Sequence, residues 1–207
     1  MANKLIALEG QIGAGKTTLG LILAESLKVP FYAELAAENT ELLLDKFYAD
    51  RSRWAFTMQT HFITHRAAML SAMPQGTGGI LDRSLSGDRI FAEVLHEDGY
   101  MDDLEFSAYE ELFELLSSLV PPPDLMVYLD CNVDVALDRI RRRNRPAEAG
   151  IPRRYLDHLD RRYRSWYASY SRSPKLRIPF DEMAIDEPGV AASLVEMIRE
   201  AAHADGP

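Results

Sequence analysis

Leu5-Ile6-Ala7-Leu8, then Glu9, then Gly10-Gln11-Ile12-Gly13-Ala14-Gly15-Lys16-Thr17-Thr18: a short apolar run, stopped by an acid, leads into a glycine-rich turn. A run of this length flanked by turn residues predicts a buried strand. Gly10 to Thr17 fits G-x-x-x-x-G-K-[ST], and the amphipathic stretch from Lys16 to Leu27 supplies the helix that must follow. Glycines in such a loop let backbone N–H groups turn inward around phosphate oxygens, and the helix N-terminus adds a favourable dipole. Gly10, Gln11, Ile12, Gly13, Ala14, Gly15, Lys16, Thr17 and Thr18 are therefore expected to hold a nucleoside triphosphate, with Lys16 on its outer phosphates and the Thr17 hydroxyl on Mg²⁺. The motif identifies a phosphate donor and leaves the acceptor open, because GTPases, ATPases and small-molecule kinases share it.

Outward from this stretch, short apolar runs alternate with longer amphipathic segments. Leu5 to Leu8, Val29 to Tyr32, Gly79 to Leu81, Leu125 to Leu129 and Leu176 to Ile178 are the predicted strands. Helices are predicted over Lys16 to Leu27, Glu41 to Tyr48, Arg51 to Ser71, Leu85 to Leu95, Asp102 to Leu119, Asp134 to Arg143, Arg153 to Tyr170 and Gly189 to Ala202. Such alternation implies an α/β fold with a parallel sheet covered on both faces. At 207 residues the chain is expected to be a single domain, with Ala204 to Pro207 frayed.

The composition narrows the function classes. Hydrophobic residues make up 47% and charged residues 27%, enough apolar material for a core. The 23 Lys and Arg against 32 Asp and Glu give a net charge of −9, which argues against a chain that lives by neutralising nucleic acid or an anionic membrane. A single cysteine, Cys131, excludes an internal disulfide or a thiolate zinc cluster. The run before Glu9 is too short for a signal peptide, and no stretch approaches the roughly 20 apolar residues of a membrane span. The expected setting is cytoplasmic.

The acceptor is addressed further along. Glu34 lies just past the second predicted strand, followed by Tyr48, Arg53-Trp54, Gln59 and Arg66; then come Asp82-Arg83-Ser84, Asp88-Arg89 and Phe91; then the arginine cluster Arg139 to Arg145, and Glu148 before Gly150-Ile151-Pro152. In order and spacing, from Lys4 to about Tyr170, this series resembles the deoxynucleoside kinases of the deoxycytidine, deoxyguanosine and deoxyadenosine kinase type. The resemblance implies a P-loop kinase fold with a five-stranded parallel sheet, an arginine-rich lid at about residues 139–150, and transfer of the γ-phosphate of ATP, with Mg²⁺, to the 5′-hydroxyl of a deoxynucleoside. It also implies a homodimer. One departure is Glu34-Leu35, where many relatives have Glu-Pro.

Physical reasoning and the resemblance meet at most of these positions. Phosphoryl transfer to a hydroxyl needs a proton acceptor at the C-terminal edge of the sheet, where Glu34 is expected, and the resemblance makes it the general base. Asp82 can hold Mg²⁺ through water, while Arg83 can bridge the 5′-oxygen and the moving phosphoryl group. Gln59 and Arg66, two helical turns apart, share a helix face. By resemblance, Gln59 bonds the base edge, Arg66 forms a buried pair with Asp88 beside it, Trp54 and Phe91 wall the base, and Tyr48 with Glu148 binds the sugar 3′-hydroxyl. Arg139, Arg143 and Arg145 are the expected lid contacts to ATP, with Arg141 and Arg142 left solvated; Asp181 to Asp186 is where relatives often contact the donor adenine. The expected base is adenine or guanine, with cytosine possible. His61 and His65 have metal-compatible spacing, but Phe62 stands where a zinc-protease motif has its acid, so they read as ordinary helix residues, and Cys131 reads as a buried structural thiol.

Two other readings compete. A monophosphate kinase of the thymidylate kinase type shares the fold and the Asp-Arg motif, but it needs an acceptor-phosphate arginine where Glu34 stands. A non-catalytic subunit of kinase fold would have no use for intact Lys16, Thr17, Glu34 and Arg83.

Overall fold

Residues 3–34, 39–74, 76–145, 148, 150–181, 185 and 188–203 are described by the computed structural model. Leu5–Glu9 is β1 and Lys16–Leu27 is α1. There follow β2 (Phe31–Tyr32), α2 (Thr40–Ala49), α3 (Arg51–Ala72), β3 (Gly79–Asp82), α4 (Leu85–Glu97), α5 (Asp103–Leu119), β4 (Leu125–Asp130), α6 (Val133–Arg143), α7 (Arg153–Ser169), β5 (Lys175–Pro179) and α8 (Pro188–His203). The five strands pair in parallel in the order β2-β3-β1-β4-β5. This is the α/β sheet that the alternation predicts, and the chain switches direction across it at β1, where a crevice opens at the strand C-termini.

Strand alternation deals side chains to two cores. Ile6, Leu8, Ile80, Val127 and Leu129 pack with Leu19 and Leu23 of α1 and Leu194 and Ile198 of α8. Ala7, Leu81 and Met126 face the other way, against Met69, Leu70 and Trp166. Beyond them α3, α4, α5 and α7 close around Met58, Ile63, Ile90, Tyr109, Leu156 and Leu159. Every residue of β4 is buried, as a central parallel strand requires.

The second strand is shorter than the apolar run from Val29 to Tyr32. Lys28 ends α1 in the left-handed conformation, the Val29 N–H bonds back to Ala24 O at 3.0 Å, and Pro30 has no N–H to give. Only Phe31 and Tyr32 remain to pair with Ile80 and Leu81 of β3. Helix ends follow local chemistry. Asp102 and Glu105 form a capping box that starts α5, and Asp50, the single residue between α2 and α3, accepts from the Arg53 N–H at 3.1 Å. Among the described residues no helix is long and apolar enough to cross a membrane. Leu35 and Ala204 to Pro207 lie outside the described residues.

Candidate active site

Glu9 ends β1, and the loop from Gly10 to Gly15 turns ahead of α1. Its three glycines have no substitute: a Cβ at Gly10 would lie 2.8 Å from Leu129 O. Gly13 sits at φ 81, where a Cβ would lie 2.5 Å from Ala136 O of α6; Gly15 sits at φ 99, where one would lie 2.8 Å from the Phe180 ring. No side chain caps α1, so its first N–H groups are available to an anion. The loop is braced from outside. Buried Gln11 donates to Cys131 O at 2.7 Å, and Arg139 donates to Ala14 O at 3.2 Å and Phe180 O at 2.9 Å. Lys16 Nζ donates to Gly10 O and Gln11 O at 3.0 and 3.1 Å. Burial, then the neighbouring charge of Arg83, brings its ammonium pKa down to about 8.

The end of β3 meets this loop. The Thr17 hydroxyl donates to Asp82 Oδ2 at 2.7 Å, and Asp82 Oδ1 is buried with no partner among the described residues. An unpartnered carboxylate oxygen beside a hydroxyl is a hard oxygen pair of the kind Mg²⁺ takes, so these residues fit that ion. Next along, Arg83 adopts φ 75, a left-handed conformation rare for a residue with a long side chain. Its backbone is held from both sides: its N–H bonds Leu8 O at 3.0 Å, and Arg66 donates to Asp82 O and Arg83 O at 2.9 Å each. The side chain is held as well. Arg83 Nε donates to Glu34 Oε1, and Nη1 donates to the Tyr163 hydroxyl. Burial alone would raise the pKa of Glu34, but the charges of Arg83, Lys16 and Arg66 outweigh it and hold the carboxyl at about 2.

A cleft of about 870 Å³ runs from the loop past Glu34 to a chamber under α3. Gln59, 3% exposed, and Phe91 line it with Met58, Phe62, Tyr48 and Tyr155. Asp88 also lines the cleft and holds Arg66 by two bonds, from Nε at 2.7 Å and Nη2 at 3.1 Å. Trp54 is not among the lining residues. It stands one turn before Met58 on the same side of α3 and packs on the core, with Lys46 and Arg53 each 4.7 Å from its ring. His61 Nε2 and the Thr40 hydroxyl are 2.8 Å apart, a bond that ties α3 to the start of α2.

The sequence profile of the deoxynucleoside kinase family matches residues 6–203. The chain belongs to the deoxynucleoside kinase family. It is 35% identical over 196 residues to a deoxyadenosine kinase of Dictyostelium discoideum, covering 94% of this chain and 77% of that one. It is 31% identical over 207 residues to a deoxyadenosine/deoxycytidine kinase of Bacillus subtilis, covering 97% and 94%. The solved structure of a deoxyadenosine kinase from M. mycoides with bound dCTP superposes with a TM-score of 0.81 at 23% identity, covering 94% of this chain and 98% of that one, which shows the fold. Members of the family are phosphotransferases acting on deoxynucleosides, and this is such an enzyme.

In this deoxynucleoside kinase the arginine cluster borders the cleft that the glycine-rich loop also lines. Arg139, Arg142, Arg143 and Arg145 all line it. Arg142 is exposed, as expected of it, and also borders the cleft because α6 presents 139, 142 and 143 on neighbouring faces; Arg141 points outward and pairs with Asp138. Glu148 lines the cleft with Tyr48, but its carboxylate is engaged by Arg143 Nε at 3.1 Å and lies 3.5 Å from Arg145 Nη1. Of the lid expected at 139–150, residues 146, 147 and 149 lie outside the described residues; of Asp181 to Asp186, Asp181 and Ile185 are described and border the cleft. Buried Cys131 meets Arg139 Nη1 at 3.3 Å.

Sequence reasoning missed Glu9 and Tyr163. Glu9 is 0% exposed and accepts from the Ser84 N–H and hydroxyl at 2.7 and 2.6 Å and from the Tyr163 hydroxyl at 3.1 Å. A charged residue closing an otherwise apolar central strand was the available signal for Glu9. Tyr163 carried none, since a tyrosine at helical spacing on α7 reads as core.

Proposed function

We propose that the enzyme transfers the γ-phosphate of ATP to the 5′-hydroxyl of a purine deoxynucleoside, deoxyadenosine first, with deoxyguanosine and deoxycytidine as further acceptors. The observation that carries this reading is the contact of Glu34 with Arg83 between the phosphate loop and the Gln59 chamber. It supports the reading because a carboxylate and a guanidinium side by side in the cleft suit an acceptor hydroxyl and a moving phosphoryl group. A monophosphate acceptor would need a second cation there.

Glu34 accepts the 5′-hydroxyl proton. Its low pKa keeps it ionised, and a weak base suffices because the transition state of phosphoryl transfer is loose and the proton leaves late. Arg83 orients the 5′-oxygen and compensates charge on the transferring group. Lys16, the loop N–H groups and Arg143 and Arg145 neutralise the triphosphate, and those arginines over the phosphates keep water from competing with the acceptor. Mg²⁺, for which Thr17 and Asp82 are the candidate holders, supplies further charge compensation when bound.

Gln59 offers an amide that donates and accepts at once, which suits the adenine edge. Asp88 accepts from an exocyclic amino group, present on adenine and cytosine and replaced by an oxygen on thymine; Arg66 beside it offers a donor to the guanine oxygen. Phe91 covers the base, while Tyr48 and Glu148 take the 3′-hydroxyl and leave a ribose 2′-hydroxyl crowded. The deoxyadenosine kinase names of two relatives support this order of acceptors. The enzyme is further assigned as a cytoplasmic homodimer on the family resemblance, which light scattering after size-exclusion chromatography tests. The decisive experiment measures initial rates with Mg-ATP against the four deoxynucleosides and their ribonucleosides, with Glu34→Ala as control. Deoxyadenosine should be fastest and thymidine slowest, and the variant should lose turnover with every acceptor; turnover of monophosphates alone would overturn the reading.

A further inference from the structure

Glu9 and Tyr163 lie outside the roles given above, yet they form a fully buried polar pair behind Arg83, which lines the cleft. Glu9 is completely buried at the end of β1, one residue before the phosphate loop. One carboxylate oxygen accepts from both donors of Ser84; the other accepts from the Tyr163 hydroxyl at 3.1 Å and lies 3.9 Å from Arg83 Nη1. Arg83 Nη1 in turn donates to the Tyr163 hydroxyl. Because a guanidinium cannot accept, the tyrosine proton has to point at Glu9 and its lone pair at Arg83, so the contacts form a one-way chain from arginine through phenol to carboxylate.

The space for this chain is built into the fold. A Cβ at Gly87 of α4 would collide with both Glu9 carboxylate oxygens and lie 2.6 Å from Arg83 Cγ. The Tyr163 ring is stacked on Tyr128, with centroids 5.9 Å apart and planes 5° apart, and meets Phe91 edge-on at 6.4 Å. Both rings fix where the hydroxyl sits. On the cleft side Arg83 has a different partner, Glu34, whose side chain is 22% exposed and borders the cleft.

We propose that Glu9 and Tyr163 are positioning residues that hold Arg83 in its catalytic orientation from the buried side, independently of Glu34. During turnover Glu34 must give up part of its contact with Arg83 to take the acceptor hydroxyl. An arginine fixed only by Glu34 would then be free to swing, whereas one tied to Tyr163 and Glu9 keeps Nη1 in place. With Nε and Nη1 engaged, Nη2, for which the described residues provide no acceptor, is left for the reacting groups. The inference rests on the phosphotransfer reading of the cleft and adds to it the device that keeps Arg83 still while its other partner works.

The test is a double-mutant cycle. Tyr163→Phe removes one hydroxyl and keeps the ring in its stack, so the fold should survive; Glu9→Gln keeps the shape and removes the charge. Tyr163→Phe should lower kcat by about tenfold to a hundredfold, the scale on which misplacing a catalytic group acts, while KM for ATP and for deoxyadenosine changes less than about threefold. In an Arg83→Lys background, which has no Nη1 to hold, the same change should lower kcat less than about twofold. A purely structural role would lower both backgrounds alike and move the melting temperature with them. Equal losses in the two backgrounds, or an unchanged kcat in Tyr163→Phe while the wild type turns over, overturns this inference alone. A wild type that phosphorylates no deoxynucleoside overturns it together with the reading beneath it.

Discussion

The Thr17 hydroxyl and Asp82 Oδ2 are joined by a 2.7 Å hydrogen bond that spans 65 positions of sequence and ties the first turn of α1 to the end of β3. The bond leaves Asp82 Oδ1 buried and unpartnered among the described residues, an arrangement that costs stability unless something completes it. Asp82→Asn halves the oxygen donors and removes the charge. The Mg²⁺ concentration giving half-maximal rate should rise at least about tenfold, and Thr17→Ala should have a smaller effect in the same direction. A magnesium titration at saturating ATP checks both, and an unchanged midpoint in Asp82→Asn would separate that carboxylate from the metal.

Glu34 is held ionised by its cationic neighbours in spite of burial, at a pKa of about 2 against the ordinary 4.5. A depressed carboxylate contributes stability that is complete above 4.5 and lost as pH falls toward 2, so Glu34→Gln should flatten the acid side of a melting-temperature profile between those values. The same substitution removes the proposed proton acceptor. It should cut kcat by roughly a hundredfold to ten-thousandfold, with ATP affinity changed only a few-fold.

Lys16 carries the opposite sign. With its pKa lowered to about 8, the free enzyme loses this ammonium as pH rises through that value, whereas bound phosphate favours the charged form. The value of kcat/KM for ATP should therefore fall above pH 8 by up to about tenfold per unit, while kcat at saturating ATP stays level across the same range. Parallel decline of both parameters would assign the alkaline limb to another group.

How much of this was legible depends on whether the signal was local. The phosphate loop was readable outright, because each glycine answers a nearby backbone demand and the lysine and threonine follow at fixed offsets. The parallel sheet followed from alternating runs, although β2 shrank to two residues through a helix cap and a proline that an apolar count does not weigh. Gln59 and Arg66 share a face of α3, as their seven-residue spacing implies, and Asp88 of α4 meets Arg66 there through a contact that spacing alone does not encode. Trp54 shares the face of Met58 but does not line the cleft, because how far along α3 the cleft reaches is set by packing that helical spacing does not encode. Glu9 and Tyr163 are joined across 154 positions of sequence, and only the fold brings them together.

Arg66 and Asp88 test the energetics of the chamber independently of catalysis. Arg66 is 5% exposed and Asp88 2%, and the two share a bidentate contact that raises the arginine pKa against the pull of burial. Removing one partner leaves a buried charge uncompensated, so Asp88→Ala should destabilise by about 3–5 kcal/mol, seen as a drop of roughly 10 °C in melting temperature for a chain of this size. Replacing both with apolar residues of similar volume, Arg66→Met with Asp88→Leu, should recover most of that loss, since the desolvation penalty disappears with the charges. Arg66 also ties the Asp82 and Arg83 carbonyls, so recovery should stop short of the wild type. Nucleoside selectivity should not recover at all: discrimination between deoxyadenosine and thymidine, measured as the ratio of kcat/KM values, should fall about tenfold or more in both variants. Full recovery of selectivity in the apolar pair would move base reading from Asp88 to Gln59 alone.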